Sequence, residues 1–179
     1  MDFRDSKTYQ NVLKTMEGEM KASATYAIYA AKARDDGYQQ IGNIFDETSG
    51  NEREHAEIFM KLLNGGSVPD TLTNLKKAYS GENNEWTKMY LEFANQAREE
   101  GYEQIAKLYE GIIEIEKHHD FRFRTLAENI ENNEVFCKDK PALWICLNCG
   151  ALYWGICAPK KCPVCGYDQG YYELNCENY

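Results

Sequence analysis

The chain has 179 residues, with 29 aspartates and glutamates against 20 lysines and arginines and a net charge of −9. That balance opposes a nucleic-acid surface, which needs clustered cations to neutralise phosphates. No stretch approaches the roughly 20 apolar residues of a membrane span, and Met1-Asp2-Phe3-Arg4-Asp5 lacks the basic and apolar regions of a signal peptide. The expected setting is therefore the cytoplasm, with no membrane and no nucleic-acid partner, and seven cysteines there are to be read for metal before disulfides.

In chain order, residues 6 to 36 carry Val12, Leu13, Met16, Met20, Ala24, Ala27, Ile28 and Ala31 at helical spacing, with Ser6 as N-cap and Gly37 as stop. A second helix is expected from about Tyr38 to Leu63, ending at Gly65-Gly66. Ser67-Val68-Pro69-Asp70 is a connection. Thr71 or Thr73 then caps a third helix running to about Glu100, and a fourth follows Gly101 and fades near Asn132-Asn133. Two tight hairpins joined by a longer link fit a ferritin-like four-helix bundle better than a plain up-down-up-down one.

The hairpin is used twice. Ala33-Arg34-Asp35-Asp36-Gly37-Tyr38-Gln39-Gln40-Ile41 returns 64 positions later as Ala97-Arg98-Glu99-Glu100-Gly101-Tyr102-Glu103-Gln104-Ile105, and Glu52-Arg53-Glu54-His55 returns as Glu116-Lys117-His118-His119. On a helix, Glu-x-x-His sets a carboxylate and an imidazole one turn apart on one face. Glu19 lies 18 residues before Gly37 and Glu52 lies 15 after it; Glu82 lies 19 before Gly101 and Glu116 lies 15 after it. At a rise of about 1.5 Å per residue, all four carboxylates stand roughly 22 to 28 Å from the hairpin turns and can meet. The copies slip by one residue, because Glu19 aligns with Asn83 while the carboxylate comes at Glu82. A local overwinding or a π-bulge absorbs such a slip.

The candidate ligand set is Glu19, Glu52, His55, Glu82, Glu85, Glu116 and His119. Carboxylate oxygens with two imidazoles suit a pair of iron or manganese ions. Glu85, one turn after Glu82, is a carboxylate beyond what a minimal bundle needs. His118 points about 100° away from His119 around the helix and is assigned to the surroundings of the site or the surface. Glu17, Glu54 and Glu114 are read as solvated carboxylates, and Tyr26, Tyr90 and Tyr102 as core packing rather than metal neighbours.

After Lys138-Asp139-Lys140-Pro141 the pattern changes, and Cys146-Leu147-Asn148-Cys149-Gly150 and Cys162-Pro163-Val164-Cys165-Gly166 form two C-x-x-C knuckles. Four thiolates at this spacing make a tetrahedral site for iron or zinc, which spacing alone does not separate. Trp144, Tyr153, Trp154 and Tyr171 are the aromatics expected to build a small core around it. Cys137, Cys157 and Cys176 are left as free thiols, with a redox-active pair among them as the alternative.

With both sites on one chain, the sequence resembles the rubrerythrin family over nearly its whole length. The resemblance is carried by Glu19-Met20-Lys21-Ala22, Asn51-Glu52-Arg53-Glu54-His55-Ala56, Gly81-Glu82-Asn83-Asn84-Glu85-Trp86-Thr87-Lys88-Met89-Tyr90, Ala97-Arg98-Glu99-Glu100-Gly101, Glu116-Lys117-His118-His119 and the paired knuckles with Ala158-Pro159 between them. It implies a ferritin-like di-iron four-helix bundle over residues 1–136 and a rubredoxin-like four-cysteine iron domain over residues 137–179. The implied activity is a cytoplasmic non-haem peroxidase of oxidative-stress defence, reducing hydrogen peroxide to water. Electrons would pass from an unidentified donor, a rubredoxin or an NAD(P)H-dependent reductase, through the FeS4 centre to the two irons. By the same resemblance Glu52 and Glu116 bridge the irons, Glu19 and Glu82 are terminal, His119 binds one iron, and His55 and Glu85 alternate on the other. A head-to-tail homodimer brings the two kinds of centre together. The rivals are a ferroxidase that mineralises iron and a scaffold bundle with a structural zinc tail.

Overall fold

A computed structural model describes residues 2–178 and divides the chain into two compact units, Met1–Asp70 and Thr71–Tyr179. The first unit is a helical hairpin of α1, Lys7–Asp35, and α2, Gln39–Leu63. Ser6 caps α1 as expected, its hydroxyl accepting from the Tyr9 amide at 3.0 Å. The turn is built on Gly37, whose φ of 88° is open to glycine at little cost. It places the Tyr38 amide 2.8 Å from the Ala33 carbonyl and so closes the helix end.

The second unit repeats that hairpin and adds the tail. Its first arm is α3, Thr71–Asn84, one π-helical turn, Glu85–Met89, and α4, Tyr90–Glu99; its second arm is α5, Glu103–Glu131. The single uninterrupted third helix expected from sequence is thus broken by a π turn. From Glu19 to Tyr26 is seven residues, and from Glu82 to the equivalent Tyr90 is eight. The wider π turn takes up that extra residue, so the slip between the copies is absorbed between Glu82 and Tyr90. Gly101, with φ 87°, repeats the role of Gly37, and the Tyr102 amide reaches the Ala97 carbonyl at 2.7 Å.

The same equivalences hold in the packing. Small residues let the arms approach near each turn: Ala30, Ala33 and Gly42 are buried in the first hairpin, and Ala94, Ala97 and Ala106 in the second. A Cβ at Gly42 would lie 3.1 Å from the Ala30 carbonyl, tight enough to push the helices apart. Tyr26, Tyr29 and Phe45 form one aromatic cluster and Tyr90, Phe93 and Tyr109 its counterpart. Arg34 reaches Asn43 and Asp46, as Arg98 reaches Glu103 and Glu110. Within the first unit the buried positions of α1 are Ala30 and Ala33, while Val12, Leu13 and Met16 of the expected stripe are half-buried and Ile28 is exposed. Close helix approach at the turn selects small side chains and leaves the larger ones outside that contact.

The tail is a three-stranded antiparallel sheet in the order β2-β1-β3, with β1 at Cys137–Cys146, β2 at Leu152–Cys157 and β3 at Tyr172–Leu174. Its core consists of Trp144, Cys146, Ala158, Cys162 and Tyr172. The Trp144 indole donates to the Gly155 carbonyl at 3.0 Å. Of the four aromatics expected in this core, only Trp144 is buried, and Tyr172 takes a place that sequence reading did not assign it. Tyr153 and Trp154 lie exposed on the edge strand β2, and Tyr171 stacks edge-on against Tyr167 outside the core. In a three-stranded sheet the central strand has the best cover, so the buried tryptophan is the one on β1. Among the described residues, no helix is long and apolar enough to cross a membrane.

Candidate metal centres

Each hairpin gathers three of the expected ligands. In the first unit Glu19 on α1 meets Glu52 and His55 on α2, and in the second Glu82 on α3 meets Glu116 and His119 on α5; one donor atom from each lies within 4.8 Å of the others. The two sets share a geometry. His55 Nδ1 lies 2.8 Å from Glu52 Oε2 and 3.9 Å from Glu19 Oε2, while His119 Nδ1 lies 2.7 Å from Glu116 Oε2 and 3.6 Å from Glu82 Oε2. The same ring nitrogen faces two carboxylates both times, hydrogen-bonds to one of them, and stands in a set of three groups able to hold a cation. The Glu82 carboxyl is held above its usual range, first by burial and then by Glu116, with His119 opposing. Two carboxylates that close share either a proton or a metal ion.

Glu85 is not in that close set. It opens the π turn and accepts a hydrogen bond from the Tyr90 hydroxyl, which burial and then the Glu85 charge push above its usual range. Tyr90 was read as core packing and serves both there and beside this carboxylate, whereas Tyr26 stays in its aromatic cluster and Tyr102 is 57 % exposed at the start of α5. His118 is exposed, in keeping with its expected direction.

Sequence reading missed the group that ties this half together. Asp120 is the buried charged residue of the unit, and its Oδ2 accepts from Asn83 Nδ2 at 2.8 Å and Trp86 Nε1 at 3.0 Å, while Oδ1 accepts from Arg124 at 2.8 Å. Burial alone would raise its carboxyl, but the three donors overcome that and hold it below its usual range. One signal was present: Asp120 follows His119, and Asn83 follows Glu82. Each partner is thus the immediate neighbour of an expected ligand.

The cysteine site assembles as its spacing predicts. Gly150 and Gly166, with φ of 75° and 76°, turn each knuckle, and their amides reach back to the Cys146 and Cys162 carbonyls at 2.8 and 2.9 Å. Cys146 and Cys165 sulfurs are 3.8 Å apart, and those of Cys149 and Cys162 are 3.7 Å apart. A tetrahedron with arms of about 2.3 Å has edges of about 3.8 Å, so the four sulfurs fit iron or zinc. The Tyr172 hydroxyl, buried with no conventional hydrogen-bond partner, is the largest of the effects that pull the Cys162 thiol down to about 6, with the Cys165 amide next. Cys149 is drawn down by the Ala151 amide but pushed up further by desolvation and the other three thiols, to about 12. Of the three cysteines expected to be free, only Cys176 is; Cys137 and Cys157 are joined in a disulfide, because the antiparallel register sets them directly opposite each other.

Helical hairpins that each present a Glu-x-x-His set, followed by a small sheet holding four thiolates, define a ferritin-like carboxylate metalloprotein with a rubredoxin-like tail. Family models agree: that described as rubrerythrin matches residues 10–71 and 73–143, and that described as the rubrerythrin rubredoxin-like domain matches residues 144–173. The chain belongs to the rubrerythrin family. It is 42 % identical to Rubrerythrin-1 of Clostridium acetobutylicum over 98 % of each chain, and 38 % identical to the rubrerythrin of Nitratidesulfovibrio vulgaris over 96 % of this chain and 95 % of that one. A solved structure of nigerythrin in a mixed-valence state matches at 26 % identity and a TM-score of 0.35, over 96 % of this chain and 90 % of that one.

Proposed function

We propose that the two Glu-x-x-His sets combine into one di-iron centre that reduces hydrogen peroxide to water, with electrons entering through an iron in the four-cysteine site. The observation that carries this reading is the pairing, on one chain, of two matched carboxylate–imidazole sets with a tetrahedral thiolate site. Two irons, when bound, supply both electrons to the O–O bond together and avoid a one-electron radical product. Glu52 and Glu116 would be the carboxylates shared by the two metals, Glu19 and Glu82 would each hold one, and His119 would hold one metal. His55 and Glu85 would be alternative ligands for the other. Glu85 suits an exchangeable role, since it stands outside the close set on a π turn with Tyr90 to hold it. Asp120 positions that turn through Asn83 and Trp86.

The donor of electrons would be a small redox protein or an NAD(P)H-dependent reductase. A homodimer is the working assembly we infer. The reading is tested by rapid mixing of reduced, iron-loaded protein with hydrogen peroxide and, separately, with oxygen, following the visible bands of both centres. Peroxide oxidising both centres far faster than oxygen supports the peroxidase. Faster oxidation by oxygen points to a ferroxidase, and a tail that never changes colour points to a structural zinc site.

A further inference from the structure

Three cysteines take no part in the four-cysteine site, and the fold sets two of them face to face. Cys137 opens β1 and Cys157 closes β2, with their Cα atoms 4.0 Å apart. They form an isolated rung: the next paired residues are Ala142 and Gly155, so β1 bulges over residues 138–141 while β2 has the single residue Ile156 in between. Beyond the rung, the Ala158 amide donates to the Phe136 carbonyl at 2.8 Å. Phe136 and Ala158, the chain neighbours of the two cysteines, both pack in the tail core with Cys146 and Cys162.

We propose that Cys137 and Cys157 are a reversible dithiol–disulfide couple which, when oxidised, locks the four-cysteine site against loss of its metal. Three features of the fold support the couple. Its register lets the bond open and close without rearranging the strands, because the Phe136–Ala158 hydrogen bond holds the pair together on one side and the main ladder on the other. Cys157 is exposed, and Cys137 lines a cleft of about 490 Å³ with Phe136, Lys160 and Gln169, so small oxidants and thiols reach both. The same small domain must keep four other thiols reduced to bind metal, so it has to work where thiols persist and where an exposed disulfide is open to reduction.

The link to the metal follows from the chain path. Closing the bond spans 20 residues and places Cys146 and Cys149 inside the ring, while Cys162 follows Cys157 by five residues. A cross-link there narrows the open forms available to the metal-free tail, and so opposes the opening through which metal leaves. The oxidation balances with hydrogen peroxide as oxidant. The Cys157 thiolate attacks one peroxide oxygen, the O–O bond breaks, and one oxygen leaves as water while the other stays as a sulfenic acid. The Cys137 thiolate then displaces that oxygen as a second water and forms the S–S bond; two electrons leave the thiols and their two protons end in water. A dithiol reverses this by exchange, becoming a disulfide as it returns two hydrogens to the pair.

The test uses full-length protein in a Cys176→Ser background, which removes the cysteine that belongs to neither the couple nor the four-cysteine site, loaded with zinc so that no metal redox chemistry contributes. It therefore stands apart from the peroxidase reading. After dithiol reduction and its removal, the protein is given one equivalent of hydrogen peroxide, and the cysteines are alkylated under denaturing conditions and mapped by peptide mass. The expected product is a Cys137–Cys157 cross-linked peptide with Cys146, Cys149, Cys162 and Cys165 all alkylated, and it reverts on adding dithiol. Zinc transfer to a chromogenic chelator should be about tenfold slower from the oxidised form. Cys157→Ser should transfer zinc at the reduced rate with or without peroxide. Should that variant not fold, the same protein compared before and after dithiol decides the matter. Alkylated Cys137 and Cys157 after peroxide, a bond that dithiol does not open, or equal zinc transfer from both forms would each overturn the proposal.

Discussion

The indole N–H of Trp86 donates to the carboxylate of Asp120 at 3.0 Å, joining the π turn of one arm to the helix that carries His119. Asn83 joins the same oxygen from the residue after Glu82. A π turn is poorly stabilised by its own backbone and needs outside support. Asp120 supplies that support, and the price of burying it is met by three donors.

Asp120→Ala would leave Asn83 and Trp86 without their acceptor, at a cost of about 2–4 kcal/mol. We expect urea unfolding followed by helical circular dichroism to move to lower denaturant by that amount, with iron affinity falling as well. An unchanged midpoint would mean that the π turn supports itself. The pH dependence has a definite sign. The folded carboxyl sits below its usual range, so its stabilisation is full above the unfolded value near 3.8 and is lost as pH falls through the lower folded value.

Glu85→Ala should retain iron, because both close three-residue sets remain, while peroxide turnover falls about 10- to 100-fold. Metal analysis and stopped-flow oxidation by peroxide measure the two quantities separately. Full turnover in the variant would remove Glu85 from any exchange at the metal.

Cys146→Ser removes one sulfur of the tetrahedron from the core of the tail. Reduction of the bundle by an external donor should then cease, whereas direct oxidation of the chemically reduced bundle by peroxide continues. Donor-driven turnover that survives would show that electrons bypass the tail.

The metal-free tail should release its thiol protons in widely separated steps. Cys162 is lowered to about 6 and Cys149 raised to about 12, so ultraviolet thiolate absorbance should rise first near the lower value and last near the higher. The Cys162 contribution to stability is present above the unfolded thiol value and lost as pH falls through about 6; the Cys149 contribution runs the opposite way, lost as pH climbs toward about 12. Tyr172→Phe removes the largest downward effect on Cys162 and should raise the first step by about one pH unit. A first step that does not move would assign the low value to the backbone amides.

Much of this protein was legible in its one-dimensional pattern, for reasons of periodicity. A repeat of 64 residues, a glycine at each turn and Glu-x-x-His on each second arm are local features, and helix geometry alone converts them into matched carboxylate–imidazole sets. The knuckles are equally local, since C-x-x-C-G dictates its own turn. The one-residue slip called for either an overwinding or a π-bulge, and only the backbone decided for a π turn and put it at Glu85–Met89.

Other features depended on contacts between distant residues, which no local pattern encodes. Asp120 looked like one more acidic residue until Asn83 and Trp86, more than 30 positions away, were seen to converge on it. Tyr172 entered the tail core in place of Tyr153, Trp154 and Tyr171 because strand order decides which faces are covered. Cys137 and Cys157 became partners through the register of two strands separated by a bulge. The sequence by itself determined which side chains can bind metal, because ligand spacing is a property of a single helix or turn. Only the tertiary structure decided which side chains support them, because burial and hydrogen-bond partnership are properties of surfaces brought together by folding.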